Sequence, residues 1–295
     1  MSMSDDPKWP RASGWLSNRS ERPRFAVLGV PAHETSISAT NAHTTPAAVR
    51  EALNRYSTYS TRLDRDLAEL PVLDLGDVLD PDHFEGELRV ADAVRALPED
   101  SLLFAIGGDN SITYSVMHGL GSLGSAGLVT LDAHHDLRDG TSNGSPVRRL
   151  IDAGLDPHRI VQIGINDFSN SAAYGRYARS IGVTVITRDE VAEVGMSAAM
   201  HRALGIAGGG TTSIYVDLDV DVCDRAVVPA CPAAAPGGLS ARDLRIAARL
   251  AGADPLVRAI DVTEVDATQD SPDGRTVRLA ALCLLEAAMG RLSIL

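Results

Sequence analysis

Eight short apolar runs, separated by stretches with helical periodicity, set the architecture this chain can adopt. The runs are residues 25–30, 71–75, 102–106, 127–131, 160–165, 183–187, 213–218 and 257–262. Helical patterns occupy 85–97, 111–120, 146–153, 172–181, 197–204, 241–251 and 276–292. Thr45 and Pro46 open one more helix to about Tyr56, with threonine as N-cap and proline first inside. Apolar runs alternating with helices are the pattern of a parallel sheet covered on both faces. The expectation is an α/β fold of three layers, αβα, around a central, mostly parallel sheet of about eight strands. Residues 24–295 form one domain on this reading, preceded by an N-terminal arm, 1–23, that holds both tryptophans, Trp9 and Trp15. The arm either docks on the body or a neighbouring subunit, or is a partly ordered tail.

The net charge of −12 leaves no basic field for nucleic acid or an anionic membrane, so small molecules are the expected partners. Cys223, Cys231 and Cys283 are odd in number and lack a C-x-x-C pair, which fits reduced thiols. The arm has no apolar core of a signal peptide, and no run reaches transmembrane length. A cytoplasmic enzyme is expected. Gly208-Gly209-Gly210 reads as a turn rather than a phosphate loop, because no helix opening on Lys-Ser/Thr follows it.

Polar clusters follow four of the runs: Gly107-Gly108-Asp109-Asn110, Asp132-Ala133-His134-His135-Asp136, Asp217 to Asp224, and Thr263-Glu264. Open α/β sheets bind ligands beyond the carboxyl ends of their strands, so these distant clusters are expected to converge. In an extended segment Asp132, His134 and Asp136 share one face, and His135 points to the other. A single aspartate here is more often a loop or capping residue; the recurrence of carboxylates with an imidazole is the signal. Such a donor set suits Mn2+, Mg2+ or Fe2+ and predicts metal-activated water.

These motifs resemble the ureohydrolases, the family of arginase, agmatinase and formimidoylglutamase, from about Val27 to Leu292. The resemblance is closest to the formimidoylglutamase branch. Asp-Ala-His-x-Asp is intact at Asp132 to Asp136. Asp-x-Asp-x-x-Asp is matched by Asp219, Asp221 and Asp224, followed by Ala226, Pro229 and Pro236-Gly237-Gly238. The resemblance implies metal ligands Asp132, His134, Asp136, Asp219 and Asp221, with a register shift to Asp217 and Asp219 left open. Asn110 stands where relatives carry a ligand histidine; as a neutral, weaker donor it implies one or two Mn2+ ions with a compromised second site. Homo-oligomerisation is also implied.

The resemblance further implies hydrolysis of an amidine C–N bond, with Asp136 and Glu264 catalytic and Glu264 binding the amidinium. Asn143, at a position where arginase-like relatives carry histidine, favours the formimidoylglutamase branch and joins the catalytic and substrate-binding set. The loop 137–149 holds Arg138, Arg148 and Arg149 against Asp139. Guanidinium forks suit a glutamate-derived substrate, and Arg138 is the expected contact. His33, Asn41 and His43 are loop hydrogen-bonders or line the crevice, and Cys223 is an inert thiol. The implied reaction is N-formimidoyl-L-glutamate plus water to L-glutamate plus formamide. The alternatives are an agmatinase- or guanidinobutyrase-type hydrolase and a metal-weakened, non-catalytic relative with a binding or regulatory role.

Overall fold

The computed structural model describes Asp6 and residues 8–295; the remainder of the expected arm lies outside the described residues. All eight expected strands form: β1 (Phe25–Val30), β2 (Val72–Asp77), β3 (Leu102–Gly107), β4 (Ala126–Leu131), β5 (Ile160–Ile165), β6 (Thr184–Thr187), β7 (Ser213–Leu218) and β8 (Val257–Val262). They make one sheet in the order β2-β1-β3-β8-β7-β4-β5-β6. Every pairing in it is parallel.

Ten α-helices accompany the sheet among the described residues: α1 (Ala12–Leu16), α2 (Thr45–Ala52), α3 (His83–Arg95), α4 (Ile112–Gly119), α5 (Pro146–Asp152), α6 (Ala172–Ile181), α7 (Arg188–Val194), α8 (Met196–Ala207), α9 (Ala241–Ala253) and α10 (Arg275–Leu292). Because side chains alternate along a strand, each strand feeds two cores. Phe25 and Val27 of β1 and Phe104 and Ile106 of β3 pack with α1, α2 and α7 to α10. Ala26, Leu28, Leu103 and Ala105 pack with α3 to α6 on the other face. The three layers follow directly. No described helix is long and apolar enough to cross a membrane.

Local features differ from the sequence expectation, including α1 in the arm, where no helix was expected. Helix α2 starts at Thr45 rather than after it, and the Thr45 hydroxyl donates to the Val265 carbonyl instead of capping the helix. That bond ties α2 to the loop leaving β8. Helix α7 was not expected: its seven residues are mostly polar and carry a single buried one, Val191, so the sequence shows little periodicity. A two-residue ribbon, Tyr59–Ser60 against Arg65–Asp66, also forms. Part of the arm docks on the body: Trp15 is buried, and its indole N–H donates to the Leu70 carbonyl at 3.1 Å. Trp9 remains exposed.

Helices α9 and α10 pack so closely that a Cβ on Gly252 would sit 2.1 Å from the Ala287 carbonyl oxygen. Backbone cannot yield as a flexible side chain does. Gly252→Ala should therefore destabilise the fold by about 1–3 kcal/mol, despite the higher helix propensity of alanine, as read by denaturant unfolding.

Candidate metal centre and active site

The four motif-bearing strands are consecutive in the sheet, β3-β8-β7-β4, so their carboxyl ends lie side by side. Backbone bonds continue past the strand ends and lock the loops together. Glu264 N–H donates to the Gly108 carbonyl (2.8 Å), Asp109 N–H to Ala32 (2.8 Å) and Asp132 N–H to Ile163 (3.1 Å). A Cβ on Gly108 would lie 1.9 Å from the Ala32 oxygen, so the approach of these two loops requires glycine there.

Asp132, His134 and Asp136 come together, though not by strand alternation. Strand β4 ends at Leu131, and Asp136 has a left-handed backbone, φ 52°. His134 reaches Asp221 through Nδ1 at 2.7 Å and stands 3.4 Å from Asp132. Asp132 Oδ1 accepts the His134 N–H (2.6 Å), and Asp221 Oδ1 accepts that of Ala133 (3.0 Å). In the third motif β7 ends at Leu218 and a tight turn, Val220–Val222, follows, with Asp219 accepting the Asp221 N–H at 2.8 Å. The turn carries Asp219 and Asp221 to the cavity and leaves Asp217 inside the sheet layer. Asp217 is fully buried, with neither carboxyl oxygen hydrogen-bonded.

Donor atoms of Asp132, His134 and Asp221 lie within 4.8 Å of one another, close enough to share an ion. His134 and Asp221 line a cavity of about 330 Å³ together with Asp136, Asp219, Glu264, Asn143 and Arg138, and Asp132 lies buried behind them. His134 is surrounded by the carboxyls of Asp132, Asp136, Asp219 and Asp221, and Asp217 and Asp261 are buried against each other behind them. Burial raises Asp132, Asp217 and Asp219 well above the ordinary carboxyl range and brings Asp136 to about 7. Burial opposes the charge of His134, but the Asp221 hydrogen bond and neighbouring carboxylates outweigh it and raise the imidazole to about 9. Burial acts upward on Asp221 as well, and the His134 hydrogen bond holds it below its usual value. Unpaired buried acids beside carboxylate and imidazole donors fit a hard divalent cation.

Glu264 also has a left-handed backbone, φ 64°. Its Oε1 accepts the Asn110 backbone N–H at 2.8 Å and the Asn143 amide at 2.9 Å. Asn143 Oδ1 in turn accepts from Ile37 N–H at 3.0 Å, fixing the amide's direction. Burial and the nearby Asp109 raise Glu264 to about 8. Asn110, expected as an oxygen ligand, is turned the other way. Its nitrogen donates to Asp136 at 2.7 Å, and its oxygen accepts from Thr113 (3.1 Å) and Thr263 (3.0 Å).

Of the three loop arginines, only Arg138 lines the cavity, and it has no carboxylate partner among the described residues. Arg148 pairs with Asp152 and Asp139, while Arg149 forms a two-pronged pair with Glu87 and lies 3.7 Å over the Tyr114 ring. His33, Asn41 and His43 are away from the cavity: the two rings meet at a tilt, centroids 4.4 Å apart, in a separate groove, and Asn41 bonds Asp266. His135 Nδ1 pairs with Gln162 at 2.6 Å. Cys223 is buried, and burial pushes its thiol up. The sequence reading missed Asn170, which accepts the His135 N–H and donates to the Ala133 carbonyl, and its cavity-lining neighbours Ser169, Ser171 and Tyr174. The signal was present: these residues follow the carboxyl end of β5.

The arginase family matches residues 23–290. Formimidoylglutamase of Halalkalibacterium halodurans is 37% identical over 90% of this chain and 87% of its own length. The Bacillus subtilis protein of that name is 35% identical over 90% and 86%. The crystal structure of formimidoylglutamase from Bacillus subtilis superposes with a TM-score of 0.91, at 33% identity, over 98% of this chain and 94% of that one. A Trypanosoma cruzi formiminoglutamase solved with Mn2+ superposes at 0.88, with 25% identity, over 96% and 98%.

The pKa shifts make a cation-free protein less stable as pH rises. Asp136, raised to about 7, holds a proton that the unfolded chain releases near its ordinary value of 3.8. His134, raised from 6.5 to about 9, contributes stability that is complete below 6.5 and lost through 9. A cation needs both groups deprotonated and binds more tightly as pH rises. The Mn2+-induced rise in Tm of chelator-stripped protein should therefore be larger at pH 8 than at pH 6; an equal or smaller rise at pH 8 would contradict the cluster as a cation site.

Proposed function

The chain belongs to the arginase family and is a hydrolase of amidine C–N bonds, and we propose that its substrate is N-formimidoyl-L-glutamate, converted with water to L-glutamate and formamide. The observation that carries this reading is the pairing of opposite recognition chemistry in one cavity. An acidic end at Glu264 and the aspartate cluster suits an amidinium, and the partner-free guanidinium of Arg138 suits a carboxylate. Agmatine has no carboxylate for Arg138 to hold. The identity of the relatives supports the same choice.

Asp132, His134, Asp136, Asp219 and Asp221 would hold Mn2+, which supplies Lewis acidity and lowers the pKa of bound water. The remaining steps belong to the chain's own residues. Glu264, aimed by Asn110 N–H and Asn143, accepts the amidinium N–H groups and places the formimidoyl carbon against the cluster. Asp136 takes the proton released as water adds to that carbon and returns it to the departing amine. The C–N bond to glutamate then breaks, the nitrogen leaves as the amine of L-glutamate, and formamide remains. Arg138 holds the substrate's carboxylate end throughout.

A second reading has its own motivating observation: with the Asn110 nitrogen toward Asp136, metal retention is weaker, and a binding role without turnover becomes the rival. A homo-oligomer in a reducing, cytoplasmic setting completes the proposal; all three cysteines are free and buried.

The deciding experiment supplies Mn2+-loaded protein with formimidoylglutamate, guanidinobutyrate, agmatine and arginine in parallel. Formamide release from the first alone is expected. Turnover of another substrate in its place moves the chain to a different branch, and retained metal with no turnover supports the binding role. Arg138→Ala should raise KM roughly 10- to 100-fold, the value of a charge-assisted bond, with a smaller change in kcat. Glu264→Gln should lower kcat/KM by about 100-fold or more, because the charge that pairs with the amidinium is lost.

A further inference from the structure

Behind Asn110 lies a buried polar network that the reaction itself does not use. Thr113 Oγ1 stands 3.1 Å from Asn110 Oδ1 and 3.0 Å from Asp261 Oδ2, but a hydroxyl has one proton and can donate to only one of them. Asp261, fully buried, also accepts from the Tyr215 hydroxyl (2.5 Å) and from Leu218 N–H (3.2 Å). On the cavity side, the Asn110 nitrogen is taken by Asp136 at 2.7 Å. In this arrangement either Asp261 or Asn110 Oδ1 goes without the Thr113 proton. Thr263, with its own hydroxyl 3.0 Å from Oδ1, satisfies that oxygen only once.

A half-turn of the amide removes the conflict on the Thr113 side. The nitrogen then donates to the Thr113 and Thr263 oxygens and the Thr113 proton goes wholly to Asp261, while the Thr263 proton loses Asn110 Oδ1 as its acceptor, a cost set against the gain at Thr113 and the cation contact. The turn also puts the amide oxygen against Asp136, which is repulsive unless a cation joins the two. We propose that Asn110 is a cation-driven toggle and that Thr113 is the positioning residue that drives it. With no cation on Asp136 the nitrogen faces that carboxylate. With one there, the amide reverses, its oxygen becomes a donor to the cation, and Thr113 relays the reversal to Asp261. A neutral amide thus serves at the second cation position only with this hydroxyl behind it. The inference rests on the proposed metal reading and adds to it the residue that sets occupancy of the second position.

Thr113 makes one sound hydrogen bond before the turn and two after it, so its loss weakens the cation-bound arrangement more. Thr113→Val, which keeps the side-chain shape, should weaken the second of two Mn2+ binding steps by roughly three- to tenfold and leave the first unchanged, as read by calorimetry or by electron paramagnetic resonance of free Mn2+. Thr113→Ser, retaining the hydroxyl, should restore the second step. The unchanged first step reports that the valine variant is folded. Side-chain amide resonances of Asn110, identified by their loss in Asn110→Ser, should shift on adding diamagnetic Mg2+ to the parent and shift less in Thr113→Val. An unaltered or tighter second step in Thr113→Val overturns the toggle while leaving the hydrolase reading intact. Failure of the parent protein to bind any Mn2+ overturns both.

Discussion

Mutual repulsion among buried carboxylates at the ends of four neighbouring strands is the constraint to which the rest of this molecule answers. Placing Asp132, Asp136, Asp217, Asp219, Asp221, Asp261 and Glu264 in one buried region opposes folding on its own, because burial and like charge both penalise ionisation. Two cores compensate from opposite faces of the sheet, and the helices clamp the strands so that the acids cannot separate. The same unfavourable assembly that weakens the bare fold is what would make the binding of a divalent cation favourable.

The architecture was legible because each strand is a short, β-branched run between helical patterns, a signal that survives in a single sequence. Strand order was not. Nothing within β3, β8, β7 and β4 says that they are neighbours, yet the convergence of the site depends wholly on that adjacency. The general rule that ligands bind at the carboxyl ends of strands stood in for it. Thr45 shows the limit of local reasoning, since its side chain answers to a carbonyl 220 positions away rather than to its own helix.

Within the site, the alternation argument puts Asp132, His134 and Asp136 on one face of a strand, but the segment leaves the sheet after Leu131, and the donor atoms within reach of one another are those of Asp132, His134 and Asp221. The turn at Val220–Val222 separates Asp217 from Asp219 and Asp221, a distinction that a purely extended segment would not make. Arg148 was separable from Arg138 in the sequence, because Asp152 lies four residues further on in the same helix, whereas Arg149 pairs with Glu87 on a helix 62 positions away whose placement only the fold provides. Asn110 was legible as a departure from its relatives, but of its hydroxyl neighbours only Thr113 is local, three residues on, while Thr263 comes from a strand end 153 positions away.

The left-handed backbones of Asp136 and Glu264 belong to the same logic. An ordinary side chain in that region costs on the order of 1 kcal/mol or more, and both residues accept the cost at the point where their chains turn back into the cavity. Neither conformation is free to relax. Asp136 is held by Asn110, and Glu264 is held by Asn110, Asn143 and the bond from its own N–H to Gly108. Asn110 therefore touches both acids, one through its side chain and the other through its backbone, and a single residue couples the carboxyl proposed to handle protons to the carboxyl proposed to hold the amidinium. A histidine at this position would keep the backbone contact with Glu264 but replace the amide with a ring whose two nitrogens stand on different edges, Nδ1 bonded to Cγ and Nε2 beyond it. On the proposed toggle the asparagine is more than a weakened ligand, because its backbone N–H holds Glu264 in place whichever way its amide points.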